Sequence, residues 1–225
     1  MKREKVLVSW SGGKDSSLAL YEIQKNGSYD IVALFTTITR DYDRVTMHGV
    51  RRNLLEEQVR AIGITLHEVF MPKNVSNEEY NRIMEREMKE AKERGISALV
   101  FGDIFLEDIR KYREENLSKV SMKGVFPLWK RNSRELVKDF IRLGFKAIVV
   151  CVDSNALTKD YIGRIVDEKF LEELPSNVDP AGENGEYHTF VFDGPIFKRK
   201  VNFEKGETIF RENRFYYLDL TPINV

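Results

Sequence analysis

The run from Val6 to Ser17, Val-Leu-Val-Ser-Trp-Ser-Gly-Gly-Lys-Asp-Ser-Ser, sets two glycines, a lysine, an aspartate and several hydroxyls where an apolar strand breaks into a helix. That pattern makes an anion site. Gly12 and Gly13 carry no Cβ, so the backbone can turn with positive φ and several N–H groups can converge on one bound group. The helix that follows adds its unpaired amides, whose positive end favours a phosphate by about 0.3–1 kcal/mol when exposed. Lys14 adds a mobile cation, and Ser11, Ser16 and Ser17 add neutral donors, a set able to hold pyrophosphate. Neither Gly-x-x-x-x-Gly-Lys-Ser/Thr nor Gly-x-Gly-x-x-Gly occurs, so this is not a Walker A or dinucleotide loop. A strand-to-helix turn capped by serine is the bland alternative, but such turns rarely need two glycines with Lys and Asp.

A second concentration of chemistry is Gly182-Glu183-Asn184-Gly185-Glu186-Tyr187-His188-Thr189. Gly182 and Gly185 let the backbone approach a ligand beside Asn184. Glu183 and Glu186 can bind a cationic group, orient an amine or take its proton. A hairpin-like turn with exposed acids is the alternative. His48 falls in a loop after the second expected strand, where it would overhang a nucleotide, unless it is simply a solvated loop histidine. Asp103 follows a strand end and Gly102 and faces the same crevice, with turn capping as its alternative. His67 reads as a sheet residue. Arg51, Arg52, Lys111 and Arg113 could contact phosphates but stand beside helices and are read as mainly solvated, and Tyr216-Tyr217 are read as packing rather than as stacking on nucleobases.

The elements that must position these residues follow from periodicity and breakers. Strands are expected at Val6 to Val8, Asp30 to Thr37, Leu66 to Phe70, Ala98 to Phe101 and Val125-Phe126, with Thr36 at a polar strand end facing the ligand crevice. Helices are expected over Ser16 to Asn26, Arg51 to Gly63, Ser76 to Gly95, Glu107 to Leu117 and Asn132 to Gly144. Ser76 with Glu79, and Asn132 with Glu135, form capping boxes. The βαβαβαβαβ order predicts a parallel sheet covered on both faces, with its ligand at the carboxyl ends of the strands. After the Cys151 strand the style changes near Pro175 to short runs, Thr189 to Phe192, Phe197 to Phe203 and Phe215 to Leu220, a β-rich tail.

Composition narrows the classes. In 225 residues, 36 basic and 36 acidic side chains cancel, so no nucleic-acid or membrane partner is expected from charge. No apolar stretch approaches the roughly 20 residues of a membrane helix, and Met1-Lys2-Arg3-Glu4-Lys5 leads into a strand rather than a signal core, so a cytoplasmic protein is expected. The single cysteine, Cys151, sits in an apolar run and reads as packing. One thiol disfavours persulfide or iron–sulfur chemistry and provides no Cys/His pair for glutamine hydrolysis, leaving free ammonia or a partner as any nitrogen source.

Ser-Gly-Gly-Lys-Asp-Ser resembles the PP-loop of the ATP pyrophosphatases, which cleave ATP between its α and β phosphates. Together with the second cluster the chain resembles the diphthine–ammonia ligase family, whose members join such a loop to a later Gly-Glu-Gly-Gly-Glu-Phe/Tyr-Glu-Thr motif. The likeness spans nearly the whole chain, including Met47-His48, Pro127-Leu128-Trp129, Tyr161 to Ile165 and Phe192 to Pro195. It implies a Rossmann-like (HUP-type) α/β nucleotide domain at 1–126 and a smaller α+β domain at 127–225, although composition alone would divide the chain near Pro175. It further implies ATP held by Ser11 to Ser17 and Thr36, Mg²⁺ at Asp15, and adenylation of a carboxylate that ammonia then attacks. Lys14, His48, Glu183, Glu186 and His188 would be catalytic, and Asp103, Gly182, Asn184 and Gly185 would contact the acceptor, for example the diphthine of elongation factor 2. A homo-oligomer is compatible with this reading.

This sequence departs from that motif at Asn184 and His188, as in a sister branch suspected of another amidation, such as corrinoid salvage. Replacing an acid by histidine weakens a site for a quaternary ammonium group. Action on a nucleic-acid base or another amine, and nucleotide sensing without turnover, are the competing readings.

Overall fold

The computed structural model describes residues 3–46 and 48–223, so Met47 of the Met47-His48 pair and Met1-Lys2 lie outside the described residues. Strand β1 (Glu4–Ser9) leads through the glycine turn into α1 (Lys14–Asn26), followed by β2 (Tyr29–Thr39), the two-residue β3 (Arg44–Val45) and α2 (Arg52–Ile62). Then come β4 (Leu66–Met71), α3 (Asn77–Glu93), β5 (Ala98–Val100), α4 (Glu107–Ser118), β6 (Lys123–Val125) and α5 (Ser133–Arg142). The remainder is β7 (Lys146–Asp153), α6 (Glu168–Glu173), β8 (Tyr187–Asp193), β9 (Phe203–Arg211) and β10 (Phe215–Pro222).

In the first sheet, β4, β2, β1, β5 and β6 lie side by side and parallel, and β3 runs antiparallel against the end of β2. The chain starts in the middle of the sheet, builds outward to one edge, then returns to build the other. The order therefore reverses between β1 and β5, where an open α/β sheet leaves a crevice at its carboxyl ends. The glycine loop Trp10 to Gly13 and Gly102-Asp103 are the segments that leave those two ends. The second sheet, β8-β7-β10-β9, is antiparallel. This is the Rossmann-like unit with a smaller α+β unit that the sequence led us to expect.

Local signals explain most boundaries. Ser76 Oγ accepts from Glu79 N at 3.1 Å and Asn132 Oδ1 from Glu135 N at 3.1 Å, the two expected caps. Helix α2 ends at Gly63, whose φ of 82° is the left-handed conformation that glycine adopts without a Cβ penalty. Its Leu54, Leu55, Val59 and Ile62 are buried, each contributing about 1.5–3 kcal/mol against exposure.

Two expectations need correction. Helix α1 begins at Lys14, two residues before Ser16, because the extended Gly13 is its N-cap. The run Phe197 to Phe203 is not a strand until its last residue: Lys198 N is bonded to Ala61 O and Val201 N to Phe192 O, so the segment straps α2 to β8. The second sheet draws strands from both sides of Pro175, since β7 pairs with both β8 and β10.

Candidate functional site

The two motifs meet. Lys14 N, in the first turn of α1, donates to Thr189 Oγ1 at 3.0 Å across 175 residues, and Val191 N donates to Gly12 O at 2.9 Å. Gly12 has a φ of 78°, and a Cβ there would come within 2.9 Å of Gln58 Oε1. Gly13 lies against His48 Cε1 and the Thr189 carbonyl, with room for only a hydrogen. Gly102 serves the same close approach from β5, since a Cβ would lie 2.8 Å from the Asp15 carbonyl carbon. Ser16 Oγ donates to Gly13 O at 3.0 Å and lies 3.3 Å from Ser11 Oγ, so both hydroxyls line the loop. Ser17 Oγ and Thr36 Oγ1 are buried without a hydrogen-bond partner. Thr36 and Ser11 line a cavity of about 110 Å³ at the carboxyl ends of β1, β2 and β5, with Phe35, Tyr80, Phe101 and Arg113.

Lys14 is less mobile than a free surface cation. It is buried, donates from Nζ to Asp15 Oδ2 at 2.9 Å and to the Ala181 carbonyl, and lies 5.1 Å from the Tyr187 ring centroid. Burial raises the Asp15 carboxyl, with Lys14 opposing. Burial likewise raises Asp103, which the Arg113 guanidinium holds at 2.7 Å.

In the 182–189 segment the two glutamates differ. Glu186 is buried, and its carboxylate accepts from Asp179 N, Asn184 N and Asn184 Nδ2, each at 3.0 Å. It clamps the loop. Glu183 Oε1 accepts from Ile104 N at 2.7 Å, and burial, with Asp15 and Asp103 nearby, pushes its carboxyl up to about 7. Gly182 and Gly185 both take positive φ, and Gly185 has open space around its Cα. His48 and His188 face each other with ring centroids 4.5 Å apart. Burial pushes His188 down to about 4 and His48 well below its ordinary value, so both imidazoles are neutral near pH 7. His48 Nδ1 is buried and unpartnered.

The basic residues resolve as structural pairs, Arg51 with Asp219 and Arg52 with Glu68, while His67 on β4 meets Glu87 at 3.0 Å. Cys151 is buried, its thiol pushed up to about 12, as expected for packing. Sequence reasoning missed Gln58, fully buried on α2, which accepts from Trp10 Nε1 and donates to Gly12 O and Val191 O. A polar residue on the otherwise apolar face of that helix was the available signal. It also missed Asp179, which accepts from Ala181 N and Glu183 N.

Residues 4–124 match the family model described as the diphthamide synthase N-terminal domain, and residues 132–221 match the diphthamide synthase C-terminal domain. The chain belongs to the diphthamide synthase family. Among its relatives, a Danio rerio protein named diphthine–ammonia ligase is 27% identical over 88% of this chain and 86% of its own length. A Schizosaccharomyces pombe protein of that name is 27% identical over 91% of this chain but 37% of its own. The Bos taurus protein is 34% identical over 46% of this chain and 41% of its own length, so the match spans under half of that mammalian relative. Among the described residues no helix is long and apolar enough to cross a membrane.

Proposed function

We propose that this diphthamide synthase family member is an ATP-dependent, AMP-forming ligase that joins ammonia to a carboxylate of the diphthine type. The observation that carries the reading is the docking of the 181–191 segment onto the phosphate-type loop, which sets a carboxyl titrating near 7 beside an anion cradle. In the first step an acceptor carboxylate oxygen bonds to the α-phosphorus of ATP and pyrophosphate leaves. The first-turn amides of α1, with Ser11 and Ser16, stabilise the growing negative charge. In the second step the nitrogen lone pair attacks the acyl carbon, the bond to AMP breaks, and Glu183 accepts a proton from nitrogen. The cavity beside Thr36 takes the nucleoside.

Asp15 is the loop's own carboxylate. Among the described residues, no three His, Cys, Asp or Glu side chains form a metal cage. One carboxylate suits a Mg²⁺ that keeps water and takes its remaining ligands from phosphate oxygens.

The test is chromatography of nucleotides after incubation with Mg-ATP, ammonium and diphthine-bearing elongation factor 2, omitting each in turn. AMP and pyrophosphate formed only by the complete mixture are expected. A second reading, a carboxylate acceptor without a fixed cation, is favoured by the neutral His188. ATP binding with no AMP from diphthine, and AMP with a small carboxylate, would select it. No AMP with any carboxylate would overturn the ligase reading.

A further inference from the structure

Three observations converge on Asp219, a residue of the smaller sheet. The turn that carries His48 is bracketed by Arg44 and Arg51, and both guanidiniums close on this one carboxylate. Arg44 Nη2 donates to Oδ1 at 2.8 Å, Arg51 Nε to Oδ1 at 2.9 Å and Arg51 Nη2 to Oδ2 at 2.6 Å. Arg44 also reaches into the turn, donating from Nη1 to Gly49 O at 2.6 Å. Gly49, with a φ of 70°, lies so close to the Tyr217 ring that a Cβ would come within 2.8 Å. Finally, the ladder between β10 and β9 slips at this point, with Leu218 facing Thr208 and Leu220 facing Lys205, so Gly206 and Glu207 oppose the single Asp219. A bulge of this kind re-aims a side chain.

We infer that Asp219 is the positioning residue for His48: it fixes Arg44 and Arg51, and through them the turn that sets the imidazole against Gly13 and His188. The inference rests on the reading of His48 as part of the active site. Bidentate arginine–carboxylate pairs fix direction as well as distance, unlike a single surface contact. The Asp219 side chain is 17% exposed, and the hydrogen bond from Arg51 holds its carboxyl down at about 2, so the pair persists across the working pH range. A supporting shell of this sort decides whether a reacting group sits in productive geometry.

The chain has three histidines, so His67 is an internal control in imidazole ¹H–¹⁵N spectra. In folded Asp219→Asn, which keeps the shape and removes the charge, the His48 and His188 signals are expected to shift and those of His67 to stay. AMP formation is expected to lose about ten- to a hundredfold in kcat. KM for ATP is expected to change less than about twofold, and Asp219→Glu to recover part of the rate. Should D219N not fold, Arg51→Lys carries the same expectation, since it keeps the charge and loses the fork. Unchanged His48 signals in a folded variant would overturn the inference. If His48→Ala turns over like the wild type, the catalytic reading of His48 fails, while the spectra still decide whether Asp219 positions it.

Discussion

Gln58 ties together three segments distant in sequence, so its replacement tests whether the loop is held by one buried amide. The side chain is 0% exposed, accepting from Trp10 Nε1 at 2.9 Å and donating to Gly12 O at 2.9 Å and Val191 O at 2.6 Å. In Gln58→Leu the volume is nearly kept, so little of the loss comes from a cavity. The Trp10 indole N–H, 2% exposed as a residue, is left without a partner. An orphaned buried donor costs about 1–3 kcal/mol. Gly12 O keeps its bond from Val191 N, so that carbonyl adds little. The Val191 carbonyl loses its amide donor, raising the expected total to about 2–4 kcal/mol. At about 2–4 °C per kcal/mol for a chain this size, Tm should fall by roughly 4–16 °C. Denaturant titration supplies the free energy, and the indole N–H signal of Trp10 reports the lost bond directly. A variant within about 0.5 kcal/mol of wild type would refute the reasoning, because surface-like substitutions lie in that range.

Other predictions concern the chemistry. Since the Glu183 carboxyl is pushed up to about 7, the rate of AMP formation should climb as pH rises through about 7 and the base form fills. Glu183→Gln should abolish that limb and cost about 10²–10⁴ in rate; a surviving limb assigns it to another group. The folded state also holds this proton more tightly than the unfolded chain, so stability should decline from about pH 4.5 to about 7, a slope that E183Q removes. Gly13 has an ordinary φ of −89°, so Gly13→Ala strains no backbone; its methyl instead meets His48 Cε1 at 3.0 Å and Thr189 O at 3.2 Å. The protein should stay folded and lose about a hundredfold in AMP formation, and wild-type turnover would disprove the close approach. Cys151, with its thiol pushed up to about 12, should be alkylated no faster than the protein unfolds; rapid labelling of native protein would contradict its burial.

The elements legible in the sequence were those with local causes. Capping boxes at Ser76 and Asn132 and terminal glycines at 27, 63, 95 and 144 act within a turn of themselves, and all take their expected places. Strand β9 was not legible, because an edge strand of sequence Phe-Glu-Lys-Gly-Glu-Thr-Ile-Phe-Arg has little apolar alternation to show. Strand β3 was too short to leave a pattern. In the site, both motifs could be read, but Gln58 could not be assigned, since its three partners lie 46 to 133 residues away. The inequality of Glu183 and Glu186 was equally hidden: two acids three residues apart look alike until one is found accepting from its own loop and the other from Ile104.

The charge balance of zero over the whole chain hides a local excess of acid. Around the loop, burial raises the carboxyl groups of Asp15, Asp103 and Glu183, with Asp15 adding to the rise at Asp103 and both adding to it at Glu183, while Lys14 is engaged with Asp15 and the Ala181 carbonyl, and Arg113 with Asp103. A triphosphate entering this crevice brings further negative charge to a place whose side-chain cations are already paired. On the proposed reading its charge is met by groups that carry no net charge of their own, the first-turn amides and hydroxyls of α1, together with a hydrated divalent cation. That division leaves Lys14 to hold the 181–191 segment on the loop. Its removal would then be felt as lost docking of the second motif before lost affinity for nucleotide.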